Sequence, residues 1–438
     1  MVARVDMKFG EGVLGLTLPE GAQTDVRPLL ADPGLPAPAA AVARALEAPI
    51  GSRPLSEVAR GRRNACVVIS DITRPVPNDV VLPPILATLE AAGIARRDIL
   101  ILIATGLHRP NLGEELVHLV GAEIARDYRI ENHVARDVDE QVTIATTPDG
   151  IPLQIDRRYV EADLKVLTGL IEPHLMAGFS GGRKAILPGL ASVETMRYMH
   201  GFAMIQQDRS GYGYLDDNPF HHASLMVARK AGADFIVNVA INAEHEITAV
   251  FAGELDEAHR VGVGYVRERH FTPVDDVYDV VVTTGGGAPL DRTLYQSWKG
   301  VVGVLGAVHK GGSIVILAEN SEGAGSADFR SCFDDLTDPR DFFRLYSDAR
   351  RFKIDQWMAQ EVCNAALRAE VYYYCRGIAP EELRRYFVSP VASPEEGLAR
   401  ALARAGGRPR VLVLPDGPYL IPFCREPVGE LYDWFHAA

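Results

Sequence analysis

The run Gly178-Phe-Ser-Gly-Gly-Arg-Lys184 places an amine at the end of a glycine-rich loop, with His174 ten residues before it and His200 sixteen after it. Glycine lets a backbone approach a bulky ligand because no Cβ intervenes. A lysine amine can bond covalently to a cofactor. Histidine is the usual proton shuttle near neutral pH and the commonest metal ligand. These residue types at this spacing point to a cofactor site. The loop is not a nucleotide-triphosphate P-loop, which ends Gly-Lys-Ser/Thr, whereas this one ends Arg183-Lys184-Ala185. A single phosphate held by backbone amides stays open. His200 cannot form a structural zinc site alone, because such a site wants about four protein ligands. Either it has no metal role or a cofactor supplies the other donors.

Four further stretches carry chemistry-bearing side chains. In Ser70-Asp-Ile-Thr-Arg-Pro-Val-Pro77, Arg74 can grip a carboxylate through two hydrogen bonds, or pair with Asp71 in a proline-fixed turn. In Thr105-Gly-Leu-His108-Arg-Pro110 and Ile171-Glu-Pro-His174, each histidine is a candidate general acid/base. In Leu294-Tyr-Gln-Ser-Trp-Lys299, Lys299 can neutralise a substrate carboxylate. His221 and His222 are adjacent, so on a helix they face different ways and receive no role.

The elements that must position these groups are short apolar runs alternating with helical patterns. Cys66–Ser70, Asp98–Ala104, Leu164–Thr168 and Phe235–Ala240 read as strands, with a helix from Asn78 to Ala92 that aligns Val81, Ile85 and Leu89 on one face. The pattern restarts with strands at Asp279–Thr284, Gly312–Ala318 and Arg410–Leu414, and a helix at Arg292–His309. Nearly continuous apolar strands imply parallel sheets covered on both faces. The expected fold is therefore two Rossmann-like α/β domains with mainly parallel sheets and an interdomain active-site cleft. An N-terminal domain over 1–270 carries the lysine loop, and a C-terminal domain over 275–414 contributes substrate contacts. Leu255–His270 is the expected connection, and residues after about 415 are expected to pack back on the first domain. Ligands in open α/β sheets sit beyond the carboxyl ends of strands, which is where Asp71–Arg74, Thr105–His108 and Gly285–Gly287 fall.

Composition narrows the classes. A formal charge of −13 without a basic block argues against nucleic-acid binding. Five scattered cysteines with no Cys-x-x-Cys pair favour a reducing compartment, and no run approaches the ~20 apolar residues of a membrane span. A cytoplasmic location follows as the expectation.

Taken in order, Ser70–Pro77, Ala104–Pro110, Pro173-His174, Gly178–Gly189, His200, Tyr295-Gln296 with Lys299, and Ser321–Gly323 resemble the nickel-dependent lactate racemase family across most of the chain. The resemblance implies a racemase or epimerase that inverts C2 of a 2-hydroxy acid by reversible hydride transfer. It implies a nickel-pincer nucleotide, a pyridinium mononucleotide of the 3,5-bisthiocarboxylic acid type, joined to Lys184. His200 matches the protein's nickel ligand, and the cofactor supplies the other three donors. His108 and His174 match the acid/base pair, and Arg74 and Lys299 the carboxylate grip. Tyr295 and Gln296 match positions near the substrate, and Trp357 an active-site tryptophan. We assign Asp71, Thr73, Gly181 and Gly182 to cofactor binding beside Lys184. Trp298 stands where a smaller residue is expected, so a Trp298 facing the cleft would put lactate itself in question. Malate-like diacids, aromatic acids and sugar acids are then open as substrates. Enzymes that build and load the cofactor are the expected partners, and monomer and homo-oligomer are both open. The rival readings are a nicotinamide-dependent 2-hydroxy acid dehydrogenase and a non-catalytic cofactor or carboxylate binder. The first lacks Gly-x-Gly-x-x-Gly directly after a strand, and the second leaves two acid/base histidines without a task.

Overall fold

The computed structural model describes residues 4–19, 22–207 and 209–424. Among them the chain divides into two compact units. The first unit comprises Ala31–His200 and Arg209–Arg267, and the second comprises the described residues of 4–30, 201–207 and 268–424.

Strand β1 is Gln23–Val26 and belongs to the second unit. The first unit is built on β2 (Ala65–Ser70), β3 (Ile99–Ala104), β4 (Arg129–Asn132), β5 (Leu164–Leu170), β6 (Phe235–Ile241) and β7 (Ile247–Gly253). They run in the order β7-β6-β5-β2-β3-β4, parallel except for β7, which is antiparallel on β6. Ala65–Ile69 and Ile99–Ile103 are buried throughout, as continuous apolar runs require in a doubly covered sheet. Helix α1 (Asn78–Ala91) lays Val81, Ile85 and Leu89, all fully buried, into the same core. Each such side chain contributes roughly 1.5–3 kcal/mol on leaving water. Helix α2 (Val193–Met199) starts at Ser192, whose hydroxyl accepts from Thr195 N. Helix α3 (Glu257–His270) fills most of the expected connection, and the boundary between the units falls within it after Arg267.

The second unit uses β8 (Tyr278–Thr284), β9 (Val308–Leu317), β10 (Glu370–Tyr374), β11 (Ser389–Pro390) and β12 (Arg410–Val413). The order is β11-β10-β9-β8-β12-β1, parallel throughout. Helix α4 is Leu294–Val304, shorter than the expected 292–309. It passes into a tight turn at Leu305–Ala307, because Val301-Val-Gly-Val304 are weak helix formers and Val308 already enters β9. Helix α5 is Gln356–Arg368.

Three expected assignments differ, the first being that 201–207 stand with the second unit although they were expected in the N-terminal domain. Residues 4–19 and 22–30 stand with the second unit, because β1 pairs with β12 from Gln23↔Arg410 to Val26↔Val413. The end of the described chain does not return to the first unit. Ile421–Cys424 pairs in parallel with Phe271–Val274, and each strand satisfies the other's backbone groups inside the second unit. Residues 425–438 of that expectation lie outside the described residues. All five cysteines are free, and no described helix is long and apolar enough to cross a membrane.

Candidate active site

The first unit gathers four loops. Three leave the carboxyl ends of the adjacent strands β5, β2 and β3, and the fourth carries Lys184. Asp71 follows β2 and is 4 % exposed. Its Oδ2 lies 2.7 Å from His108 Nδ1, and its Oδ1 accepts from Thr73 Oγ1 at 2.7 Å. Burial by itself would raise the Asp71 carboxyl. The hydrogen bond to His108, with help from Thr73, outweighs it and holds the group below the usual carboxylate range. A carboxylate there keeps the proton on His108 Nδ1 and turns Nε2 outward, and the ring is half exposed. Thr73 and Asp71, expected among the cofactor contacts, are thus joined to the candidate acid/base.

His174 sits opposite Gly178 in a short antiparallel pair that also joins Pro173 to Phe179. Its Nδ1 accepts from Met176 N and Ala177 N, both at 3.2 Å. One histidine is therefore held by a carboxylate and the other by backbone amides. Arg74 Nε lies 4.0 Å from Glu172 Oε1, so its nearest acidic partner is not Asp71 but a residue of the His174 loop. Ser180 N donates to Glu172 O, and Gly106 N donates to Gly189 O at 3.0 Å. These contacts close a ring through all four loops.

The lysine loop is shaped by glycine and anchored by arginine. Gly178 has φ +74°, and a Cβ there would stand 1.7 Å from Tyr214 O. Gly181 has φ +77°, and Gly182 N donates to Asn238 Oδ1 at 2.8 Å. Arg183 is fully buried and donates to Ala177 O at 2.8 Å, with its Nη1 3.0 Å from His259 Nε2, which itself donates to Ser180 O at 2.8 Å. Burial, reinforced by Arg183, holds His259 neutral. The cation next to Lys184 is thereby structural, and Lys184 is left half-buried beside it. Sequence reading missed Asn238 and His259, whose partners lie 56 and 76 residues away.

His200 caps the end of α2 and is 6 % exposed, edge-on to Phe220 with ring centres 5.4 Å apart. Burial first, and the charge of Lys184 second, push its pKa down to about 3. It is a neutral imidazole at physiological pH, the form that binds metal. Among the described residues no group of three His, Cys, Asp or Glu could hold a metal by itself.

In the second unit, α4 begins at Thr293, which accepts from Gln296 N, while Gly323 O and Ala324 O accept from Leu294 N and Tyr295 N. Gly323, the last residue of the Ser321–Gly323 stretch, and Ala324 thus cap this helix. Tyr295, Gln296 and Lys299 are half-buried. Trp357 Nε1 donates to Tyr295 Oη at 2.8 Å, which links the two aromatic candidates. Trp298 is fully buried and stacks on Tyr373 at 6.2 Å, with the rings 8° from parallel. It belongs to the core, because successive helical residues point about 100° apart.

The site so far is that of a doubly wound α/β protein with a lysine-bearing glycine loop and two histidines held by neighbouring loops. Comparison with known proteins gives its family. Residues 9–213 match the lactate racemase N-terminal domain and 274–421 the lactate racemase C-terminal domain. The lactate racemase of Lactiplantibacillus plantarum is 36 % identical over 378 residues, 86 % of this chain and 89 % of the relative. That of Thermoanaerobacterium thermosaccharolyticum is 36 % identical over 382 residues, 87 % of this chain and 89 % of the relative. The lactate racemase apoprotein structure from the latter organism superposes with a TM-score of 0.91 at 33 % identity, covering 97 % of this chain and all of that one. A Thermotoga maritima protein shares the fold alone, at TM-score 0.67 and 19 % identity, over 91 % of this chain and all of that one. The chain belongs to the lactate racemase family and is a racemase.

Proposed function

We propose that the chain inverts the C2 stereocentre of a 2-hydroxy acid, lactate or a larger relative, with a nickel-pincer nucleotide tethered at Lys184. The observation that carries the reading is the closed ring of loops, which brings Arg74, His108, His174 and the Lys184 loop into one assembly. The residues fit the cofactor. A single buried neutral imidazole, an amine and a glycine-shaped loop are what a ligand bringing its own three donors requires. Lys184 would hold the group covalently, with Gly181, Gly182, Asp71 and Thr73 around it, and His200 would be the protein's ligand to nickel. When bound, that group supplies a carbon that accepts and returns hydride.

The chain's own residues do the remainder. Arg74 and Lys299 bind the C1 carboxylate, so the planar keto acid stays in place between the two halves of the reaction. Tyr295, Gln296 and Trp357 border the substrate. One histidine takes the hydroxyl proton as C2 becomes planar, and the other gives a proton back for the opposite configuration. His108 and His174 exchange roles for the two enantiomers. The test is stereoinversion of single enantiomers by protein made together with the cofactor-building enzymes. Loss of about 10²–10⁴-fold in rate is expected for His108→Ala and for His174→Ala, with nickel retained. Full activity in either variant removes that histidine from the mechanism.

A further inference from the structure

One face of α5 is buried and yet polar. Trp357, Gln360, Glu361 and Asn364 recur at i, i+3, i+4 and i+7, and none is more than 9 % exposed. A buried helical stripe is ordinarily apolar. Helix α4 runs alongside in the same direction. Trp357 meets Tyr295 near the start of both helices, and Arg368 Nε donates to Leu305 O at 2.9 Å beyond their far end. The polar stripe therefore faces the helix that carries Tyr295, Gln296 and Lys299.

Gln360 Nε2 donates to Gln206 Oε1 at 2.7 Å. The pair leaves one acceptor, Gln360 Oε1, and one donor, Gln206 Nε2, both buried and without a hydrogen-bond partner. Turning both amides over leaves the same complement, one donor and one acceptor. Gln296 Oε1 is a further buried acceptor in the same state. A hydroxyl gives and takes a hydrogen bond at once and so answers both vacancies, whereas a methyl group answers neither. A second carboxylate answers only one of them, because it accepts and does not donate.

We propose that Gln206 and Gln360 make this enzyme selective for 2-hydroxy acids bearing a further hydroxyl at C3 or beyond, of which glycerate is the smallest, over lactate. The inference rests on the racemase reading above and names its substrate class. A site built to hydrogen-bond a substrate hydroxyl discriminates against the analogue lacking it, because its own polar groups then stay unpaired.

The experiment measures kcat/KM for single enantiomers of glycerate, lactate and malate with the nickel-loaded enzyme. Glycerate is expected to exceed lactate by at least about tenfold, and to exceed malate as well. In Gln360→Met and, separately, Gln206→Met, the glycerate-to-lactate ratio should fall toward unity. A wild-type ratio near unity overturns the proposal. So does an equal loss for both acids in both variants, which is what a purely structural role gives. If the loaded protein inverts no acid, the racemase reading itself fails. The inference is then decided by titrating the cofactor-free chain with glycerate and with lactate, where equal affinity overturns it.

Discussion

Asp71 illustrates how one side chain sets the behaviour of another. It is buried, accepts from Thr73 and faces His108 Nδ1, so it fixes which ring nitrogen is left for the substrate. Asp71→Asn keeps the size and removes the charge. We expect kcat to fall by at least about tenfold, because the His108 ring loses the carboxylate that orients it and holds the proton on Nδ1. A pH–rate profile identical to wild type would show that Asp71 does not act through His108. The pairing itself was not legible in the sequence. Both residues were placed beyond strand ends, but Arg74 was the partner suggested for Asp71. The contact that forms spans 37 positions and depends on β2 and β3 being neighbours. Which way Trp298 faces was left open by the sequence. It stands beside Lys299, and one helical step turns it onto Tyr373.

The lysine loop is the element whose geometry the site can least spare. Gly178 holds a positive φ directly against Tyr214 O, so Gly178→Ala adds backbone strain of about 1–3 kcal/mol and a clash. The expected outcome is a lower melting temperature together with poorer attachment of the cofactor at Lys184, read by intact mass. A variant that melts and loads like wild type would remove the need for glycine there. This loop was legible because glycine clusters carry a backbone meaning in one dimension. The apolar strands β2, β3, β5, β6 and β8 were legible for the same reason, since burial on both faces imposes a continuous pattern. Strand β1 was not. Gln-Thr-Asp-Val lies at a sheet edge with its residues half or fully exposed, so no burial pattern marks it, and its partner is nearly 400 positions away. The amide pair of Gln206 and Gln360 is likewise invisible along the chain, being 154 positions apart.

At the scale of the molecule, buried neutral histidines tie stability to pH. Burial pushes His200 and His221 down to about 3 and His259 well below its usual 6.5. Their folded values lie below their unfolded value, so below pH 6.5 the unfolded chain takes up protons that the folded chain refuses. Stability is therefore whole above that pH and is lost as pH falls from about 6.5 toward 3. Three such groups give a limiting slope near ~4 kcal/mol per pH unit. Thermal melts of the cofactor-free protein should show this decline, and His221→Leu, which removes a fully buried ring with both nitrogens unpartnered, should make it shallower. A melting temperature flat from pH 7 to 4 would contradict the burial of these rings. The family assignment rests on the whole length of the chain, and within it the chemistry converges on Lys184. The most direct test is intact mass with metal analysis on the wild type and on Lys184→Ala, each made with the cofactor-building enzymes. The account predicts a covalent adduct with bound nickel in the wild type and no adduct in the variant. A wild type without nickel, or an adduct that persists in Lys184→Ala, would contradict it.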